Sequence, residues 1–353
     1  MRFDFVKPML VWYNENARDL PWRRTKDPYL IWVSEIMLQQ TRVEAVKGYY
    51  TRFLNAVPDI ASLAGSDPEL LHKLWEGLGY YSRVRNLQAA AKEILQLYGG
   101  EFPRTYREVR ALKGIGDYTA GAICSICFDL PTPAVDGNVL RVLSRLREDP
   151  RCTDDLAVRR SVRDELAAVY PESGAGTLTP ALMELGATVC VPNGAPHCGR
   201  CPMRDVCRAA RNGSWQHFPV RAEKRQRREA LLTVFVLDCG GNYAICKRKS
   251  SGLLAGLWEF PNVPGHLDAQ QALDLAAAWG ARPRELVKQL ERTHIFTHIV
   301  WKMRCYYLSC AEMPDKFTWA DRSALDGKYA LPTAFRMFRE ELPQTGMDLD
   351  SFT

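Results

Sequence analysis

The sequence has no apolar run long enough to cross a lipid bilayer. At the N-terminus Asp4 follows Met1-Arg2-Phe3, so an acid stands where the apolar stretch of a signal sequence would begin. The chain also contains no internal repeat and no low-complexity segment. These absences predict a soluble cytoplasmic protein with no targeting segment and no membrane partner.

Positive charge is in modest excess in this sequence. A net charge of +6 over 353 residues is compatible with a polyanionic partner but does not identify one. The length and the 46% hydrophobic content are enough for two independent cores. Eleven cysteines in a chain of cytosolic type favour a metal site and scattered buried thiols over a disulfide framework.

The hydrophobic pattern changes along the chain and predicts two domains. Its helical period up to about residue 210 predicts a mostly α region over 1–215. The next segment, 216–229, is predicted to be a basic linker, either a solvated tether or one that contacts phosphates. Beyond it we expect an α+β domain over 230–353, with strands at 232–237, 243–246 and 299–308 and helices near 268–279 and 332–340.

Glu35 is a carboxylate on the apolar face of a predicted helix. Its neighbours at helical spacing include Ile31, Trp32 and Leu38. Burial among such side chains raises a carboxyl pKa, as a general acid working near neutral pH requires. The alternative is a half-exposed glutamate that pairs with Arg23 or Arg42.

The turn Gly114-Ile115-Gly116 enters an apolar helix and follows a helical stretch from Thr105 to Ala111. This pattern predicts a helix-hairpin-helix over about 105–128. Glycines allow a sharp turn, and the amides at the next helix N-terminus point at an anion such as a phosphate. An ordinary helix-helix turn is the alternative, whereas a dinucleotide-binding turn is excluded because no strand precedes it.

Asp136 stands just before another predicted helix, where capping is the commonest role of an aspartate. Its company suggests a second role. Two carboxylates, Glu35 and Asp136, together with an anion-binding hairpin are the parts needed to cleave a glycosidic bond on a phosphodiester chain. One acid protonates the leaving group, and the other stabilises the positive charge that develops on the sugar.

Four cysteines lie within eighteen residues, at Cys190, Cys198, Cys201 and Cys207. Their spacing, C-x7-C-x2-C-x5-C, predicts a metal site in the loop 190–207. Four thiolates suit either a tetrahedral zinc ion or a [4Fe-4S] cluster, and the spacing does not choose between them.

Together these segments resemble the MutY-type adenine DNA glycosylases of the helix-hairpin-helix superfamily. The matching stretches are Trp32 to Thr41, Leu112 to Ile123, Val135 to Val139, the cysteine loop, and, in the second domain, Gly252 to Pro261 and Phe296-Thr297-His298. The resemblance implies a mostly α helix-hairpin-helix glycosylase domain with an iron-sulfur cluster loop, followed by an α+β Nudix-like domain that recognises the mispair. It also implies a [4Fe-4S] cluster on the four cysteines.

The implied substrate is duplex DNA with adenine opposite 8-oxoguanine or guanine, in the nucleoid of a bacterial-type cytoplasm. A monomeric enzyme of base excision repair is expected to hydrolyse the adenine N-glycosidic bond after base flipping. By resemblance, Glu35 protonates adenine N7 and then helps to activate water. Asp136 stabilises or captures the oxocarbenium ion.

The resemblance also assigns supporting residues. Tyr118 stands where strand-cutting relatives have a lysine, and a tyrosine cannot form a Schiff base, so the enzyme is expected to be monofunctional. Tyr118 and Asn138 are expected to orient Asp136 and the sugar. The residues expected to contact DNA are Gln40, Thr41, Tyr80, Gly114, Gly116, Thr297 and His298.

Three positions depart from the family pattern. Seven residues separate Cys190 from Cys198 where the family commonly has six, so the loop should bulge while keeping its ligands. Thr179-Pro180 replaces an asparagine followed by glutamine or glutamate, so adenine recognition should rely on other groups or be looser. Thr297 replaces a serine and keeps the hydroxyl.

Three other functions compete with this interpretation. An endonuclease III-type glycosylase/lyase shares the hairpin and the cysteine loop, but Tyr118 and the long second domain argue against it. A nucleotide pyrophosphohydrolase needs a glutamate-rich helix for magnesium, and 268–279 contains no glutamate. A catalytically silent DNA-binding protein would not need both Glu35 and Asp136 in these settings.

Overall fold

The computed structural model describes residues 5–223 and 226–343. The chain divides into two compact units. The helical unit consists of Met1–Gly65 and Arg85–Lys224, and the sheet unit consists of Ser66–Val84 and Arg225–Thr353. A segment from the N-terminal half of the chain, 66–84, therefore belongs to the sheet unit.

Between residues 5 and 212 the regular secondary structure is helical. Its α-helices are α1 Val6–Asn16, α2 Pro28–Leu38, α3 Val43–Ala56, α4 Ile60–Gly65, α5 Pro68–Leu74, α6 Ser82–Tyr98, α7 Tyr106–Ala111, α8 Asp117–Phe128, α9 Gly137–Arg147, α10 Leu156–Ala167, α11 Ala175–Thr188 and α12 Arg208–Asn212. Helix α5 lies in the sheet unit, and α6 begins there. In 5–223 and 226–343 no helix is both long and apolar enough to cross a membrane.

Local sequence explains the ends of the helices that form the site. Helix α2 begins where the Asp27 side chain accepts a hydrogen bond from the Tyr29 amide, with Pro28 at the first helical position. Helix α8 ends at Phe128 and is capped by Asp129, which has a left-handed backbone. The Asp129 carboxylate accepts hydrogen bonds from the amides of Gly174 and Gly176, at the start of α11.

One core of the helical unit packs around α9 and α11. It contains side chains from α1, α9, α10 and α11, among them Met9, Val139, Leu143, Leu166, Leu178 and Leu182. Burial of these side chains stabilises the unit through the hydrophobic effect. The start of α9 lies beside the C-terminal part of α11, where Gly186 approaches Asn138.

The sheet unit is built on seven strands among the described residues: β1 Arg228–Cys239, β2 Asn242–Lys247, β3 Trp258–Glu259, β4 Asn262–Pro264, β5 Pro283–Ile295, β6 Ile299–Cys310 and β7 Thr318–Asp321. The strand order is β3-β2-β1-β6-β5, and β4 and β7 pair with β1 and β2. Strands β1 and β6 are parallel, whereas the other pairs are antiparallel.

Alternation along β1 builds two cores, one on each face of the sheet. Val234 and Val236 pack with Phe335 of α15 (Thr333–Arg339), near α14 (Arg322–Gly327). Phe235 and Leu237 pack on the opposite face with alanines of α13 (Ala269–Ala278). The unit therefore has helices on both faces of a mixed sheet, which confirms the predicted α+β domain.

The sequence predicted several elements closely and missed others. The predicted helices 268–279 and 332–340 correspond to α13 and α15, and the hairpin 105–128 corresponds to α7 and α8. The long strand β5 was not predicted, because its few apolar residues do not alternate with the many charged and polar ones, although burial along the strand does alternate. Nothing in the sequence indicated that segment 66–84 belongs with the sheet.

The predicted basic linker begins with residues that are bonded to the helical unit. The Val220 carbonyl accepts hydrogen bonds from the amide and hydroxyl of Thr153, at 3.0 and 3.1 Å. Asp154 accepts from Arg221 and from the Ala222 amide. Strand β1 begins at Arg228. The boundaries at 215 and 230 remain predictions.

Candidate active site

A cleft of about 830 Å³ lies within the helical unit and gathers the predicted catalytic and DNA-contacting residues of that unit. Helix α2, the hairpin, the start of α9 and one face of α11 form its walls. The sequence-predicted residues that line it are Glu35, Gln40, Thr41, Gly114, Gly116, Tyr118, Asp136 and Asn138. Residues separated by up to about a hundred positions are thus brought to one site.

Glu35 is 5% exposed, although it lines the cleft. Burial raises the pKa of its carboxyl group to about 7, the hydrogen bond from Tyr118 opposes this shift, and the negative charge of Asp136 adds to it. A substantial fraction of Glu35 is therefore protonated at neutral pH. A carboxylic acid in this state can donate a proton to a bound group.

Arg23 does not neutralise Glu35 by direct pairing. Its guanidinium donates instead to the carboxylate of Glu184. Because Glu35 is also buried, the alternative of a half-exposed glutamate paired with Arg23 or Arg42 is wrong.

Asp136 is both a helix cap and a wall of the cleft. Its Oδ1 accepts a hydrogen bond from the Val139 amide at 2.8 Å, and its Oδ2 accepts from Asn138 Nδ2 at 2.8 Å. Burial raises the pKa of Asp136, while these two hydrogen bonds oppose the shift. The capping and catalytic interpretations are compatible, because the same carboxylate caps the start of α9 and lines the cleft.

Tyr118 and Asn138 contact different carboxylates. The Tyr118 hydroxyl donates to Glu35 Oε2 at 2.6 Å, so Tyr118 orients Glu35, whereas we expected it to orient Asp136. Burial and the nearby carboxylates hold the pKa of Tyr118 well above its usual value, so the phenol keeps its proton. Asn138 does contact Asp136, as expected.

Arg141 connects this site to the cysteine loop. Its guanidinium donates to Asn138 Oδ1 at 2.8 Å, to the Gly186 carbonyl at 2.7 Å and to the Cys190 carbonyl at 2.8 Å. Helices α9 and α11 approach closely here, because a Cβ at Gly186 would lie 2.5 Å from the Asn138 Cβ. The side chain that holds Asp136 is therefore fixed by packing and by a buried cation.

Sequence reasoning missed Glu184, a fully buried carboxylate on α11 that also lines the cleft. Arg18 donates to it at 2.7 and 2.8 Å, and Arg23 donates as well. Although burial alone would raise its pKa, these two arginines lower it to about 2, so Glu184 is ionised. The signal was available, because Glu184 stands in an apolar helical stretch just as Glu35 does.

Thr179 and Pro180, which depart from the family pattern, lie on different sides of α11. Pro180 lines the cleft. Thr179 is buried, and its hydroxyl donates to Ser125 Oγ at 2.7 Å and bonds the Tyr170 hydroxyl. The wall of the cleft at Pro180 is therefore an apolar ring that has no amide hydrogen to donate.

The hairpin needs glycine at Gly114. Its φ is +75°, and a Cβ there would lie 2.6 Å from the Asn86 Cβ. Gly116 precedes α8, whose first turn leaves backbone amides directed outward. Gln40, two residues after the end of α2, is exposed and has a φ of +59°.

The four cysteines Cys190, Cys198, Cys201 and Cys207 line a second, smaller cavity in the helical unit. The seven-residue gap turns back on itself, because the His197 amide donates to the Val189 carbonyl at 2.9 Å. Arg145 donates to Cys190 Sγ at 3.4 Å. In the described chain no group of three or more His, Cys, Asp or Glu side chains is arranged to hold a single metal ion.

The remaining predicted residues lie in the sheet unit. Thr297 and His298 are exposed in the loop between β5 and β6. Tyr80 is 48% exposed, and its hydroxyl is hydrogen-bonded to that of Thr297. Segment 66–84 thus brings Tyr80 to the loop that carries Thr297.

Comparisons with known proteins agree with this architecture. Residues 33–166 match a family described as HhH-GPD superfamily base excision DNA repair protein, and residues 233–341 match the NUDIX domain. The chain is similar to the adenine DNA glycosylase of Mus musculus, with 34% identity over 95% of this chain and 78% of that protein. It is also similar to that of Homo sapiens, with 33% identity over 97% of this chain and 75% of that protein.

A bacterial relative and two solved structures extend the comparison. The adenine DNA glycosylase of Buchnera aphidicola is 32% identical over 74% of each chain. A thermostable thymine-DNA glycosylase superposes with a TM-score of 0.54 and 27% identity, covering 59% of this chain and 95% of its own. A non-covalent Endonuclease III-DNA complex superposes with a TM-score of 0.51 and 23% identity, covering 59% and 94%. The latter supports the fold alone.

Proposed function

The chain belongs to the adenine DNA glycosylases of the HhH-GPD superfamily, and from this premise we propose that it removes adenine paired with 8-oxoguanine or guanine in duplex DNA. It is a monofunctional glycosylase of base excision repair, with a Nudix-like second domain. The observation that carries the proposed mechanism is Glu35, buried and partly protonated at neutral pH, in one cleft with Asp136.

In the proposed reaction Glu35 gives its proton to N7 of an adenine that has been flipped into the cleft. The protonated base becomes a better leaving group, and the bond between C1′ and N9 breaks with its electron pair going to the base. Asp136 stabilises the positive charge left on the sugar. The Glu35 carboxylate then takes a proton from the water that attacks C1′, which returns Glu35 to its acid form.

The chemistry stops at base removal. Strand cleavage by a lyase requires an amine that attacks the sugar carbon, and Tyr118 supplies a phenol at the corresponding position. That phenol is occupied as a hydrogen-bond donor to Glu35.

The hairpin is proposed to hold a DNA phosphate. Gly114 and Gly116 let the backbone come close, and the amides at the start of α8 face the anion. Such contacts position the duplex without reading its sequence. Gln40 and Thr41, at the edge of the cleft, are proposed to contact the duplex where the adenine has left the stack.

The sheet unit is proposed to read the base opposite the adenine. Thr297 and His298 are exposed and carry hydrogen-bonding side chains, and Tyr80 presents an aromatic ring beside them. A hydroxyl can donate to or accept from the edge of an oxidised guanine. The aromatic ring can stack on a neighbouring base.

We propose that Cys190, Cys198, Cys201 and Cys207 hold a [4Fe-4S] cluster. All four line one cavity, and four thiolates are the donor set such a cluster requires. Four thiolates would also suit tetrahedral zinc, and the resemblance to the MutY-type glycosylases favours the cluster. When bound, the cluster supplies Fe–S bonds that cross-link loop 190–207. Arg141 connects that loop to the active site, because its guanidinium donates hydrogen bonds to the Cys190 carbonyl and to Asn138 Oδ1.

A strand-breakage assay tests the function. The protein is incubated with an end-labelled duplex that has adenine opposite 8-oxoguanine, and samples are analysed with and without hot alkali. Breakage only after alkali is expected. Breakage without alkali would instead favour an endonuclease III-type lyase. We also propose that the enzyme acts as a monomer on DNA in the cytoplasm. The breakage assay measures neither its oligomeric state nor its location.

A further inference from the structure

The turn that presents Tyr80 has an unusual backbone. Gly77, Gly79 and Tyr80 have φ values of +103°, +70° and +46°, so three of four consecutive residues are in the left-handed region. Glycine adopts such angles easily, but a bulky aromatic residue rarely does. The structure around Tyr80 must therefore stabilise this conformation.

Arg83, in the first turn of α6, supplies much of that stabilisation. One nitrogen of its guanidinium donates to the carbonyls of Leu78 and Gly79, at 2.9 and 3.0 Å. The Trp75 indole donates to the same Gly79 carbonyl at 3.1 Å. Two consecutive carbonyls of the turn thus point at one cation.

The same guanidinium contacts two aromatic rings. Its carbon lies 5.3 Å from the centre of the Trp75 ring and 5.8 Å from that of Tyr80. Burial lowers the pKa of Arg83 to about 10, so it is still charged at neutral pH. Cation-π attraction is stronger at such a partly desolvated site than in open solvent.

The Tyr80 ring is therefore held at both ends. Arg83 lies near its face and fixes the backbone behind it, while the hydroxyl is bonded to Thr297. Because nearly half of the ring is still exposed, it can contact a partner without rearranging.

We propose that Arg83 is a positioning residue that sets Tyr80 in advance against Thr297, so that the two side chains meet the base opposite the adenine as one rigid probe. This inference rests on the proposed function of Tyr80 and Thr297. Preorganisation removes the entropy cost of ordering the turn on binding. This gain in binding should be larger for adenine opposite 8-oxoguanine, which Tyr80 and Thr297 are proposed to fit, than for adenine opposite guanine.

Lysine cannot take this role. A guanidinium is planar, donates in a fixed fork and stacks on aromatic rings, whereas an ammonium is a compact charge on a flexible stem. Arg83→Lys should therefore behave like Arg83→Met in mispair preference, although it keeps the charge.

A double-mutant cycle tests the inference. The preference is measured as the ratio of kcat/KM for adenine opposite 8-oxoguanine to that for adenine opposite guanine, in the full-length holoenzyme. Tyr80→Ala and Arg83→Met should each reduce this ratio, with Arg83→Met giving roughly a tenfold loss. In the Tyr80→Ala background, Arg83→Met should cause no further loss. Arg284→Met, which removes an exposed arginine in the same unit, should leave the ratio unchanged.

The outcomes separate the two levels of the proposal. If Tyr80→Ala leaves the ratio unchanged, the proposed role of Tyr80 is wrong. If Tyr80→Ala lowers the ratio but Arg83→Met adds its full effect in that background, Arg83 does not act through Tyr80. Full recovery of the ratio in Arg83→Lys would also overturn the inference. Thermal unfolding of each variant identifies a loss caused only by misfolding, which would lower kcat/KM on both duplexes equally.

Discussion

The hydroxyl of Tyr118 donates a hydrogen bond of 2.6 Å to Oε2 of Glu35, across 83 positions of sequence. A donor to a carboxyl oxygen favours the ionised form, so this bond opposes the increase in pKa that burial causes. The result is a pKa of about 7, between that of an ordinary glutamate and that of one buried without a donor. Glu35 can thus act as an acid in one step and as a base in the next.

Replacement of Glu35 by glutamine should abolish adenine release and leave DNA binding largely intact. The amide keeps the shape of the side chain but has no proton of suitable acidity. General acid catalysis contributes roughly 10²- to 10⁴-fold, so excision should fall at least a hundredfold in a single-turnover assay. A binding assay on the same duplex is the control. Excision above about a hundredth of the wild-type rate would count against the assignment.

The pH dependence of excision should reflect the protonation of Glu35. Because the acid form is required, the single-turnover rate should decline as pH rises through about 7. Tyr118→Phe removes the donor that favours the carboxylate, so the pKa of Glu35 should rise and the decline should move to higher pH. Tyr106→Phe, which removes a phenol bonded to Asp117 at 3.4 Å, is the matched control and should not move it. A shift to lower pH in Tyr118→Phe would contradict this account.

Gly186→Ala should destabilise the protein by about 1–3 kcal/mol, as overpacking of a well-packed interior does. The new methyl group would lie 2.5 Å from the Asn138 Cβ and displace the side chain that bonds Asp136. Excision should therefore fall together with the free energy of unfolding, measured by urea titration. Gly48→Ala is the control, because it lies within α3 with nothing within 4 Å of the added carbon. It should be neutral or slightly stabilising, and equal losses in both variants would refute the packing argument.

Alanine at both Thr297 and His298 should weaken the preference for the oxidised mispair selectively. The hydroxyl and the imidazole are proposed to contact 8-oxoguanine, while the chemistry takes place in the helical unit. Cleavage of adenine opposite guanine should consequently change less than cleavage opposite 8-oxoguanine, as measured by kcat/KM on each duplex. An equal decrease on both substrates would show that these residues do not read the lesion.

The purified protein should contain about four iron atoms per chain, and zinc should be nearly absent. Metal analysis and the visible absorption of the protein measure this directly. Cys198→Ser should lower the iron content, because the cluster loses one of its four proposed ligands. Cys152→Ser is the control, since Cys152 is outside the cysteine loop and should not change the iron content. One zinc atom per chain would contradict the cluster.

How far the sequence could predict the site depends on the range of each interaction. The burial of Glu35, the capping position of Asp136 and the glycine at 114 are consequences of local pattern, because helical period and turn geometry are set by residues close in sequence. These were therefore predictable. The pairing of Arg18 with Glu184 spans 166 positions, and that of Tyr80 with Thr297 spans 217, so no local pattern indicated them.

The sequence by itself determined the chemistry that is available: two acids in apolar or capping settings, a glycine hairpin, a phenol in place of an amine, and four closely spaced thiols. Only the tertiary structure decided which of these groups meet. In the folded chain the Tyr118 hydroxyl donates to Glu35 and the Asn138 amide donates to Asp136. Arg23 pairs with Glu184, and segment 66–84 belongs to the sheet unit. The physical reason is that backbone propensities act over a few residues, whereas the partner of a side chain depends on which surfaces the folded chain buries together.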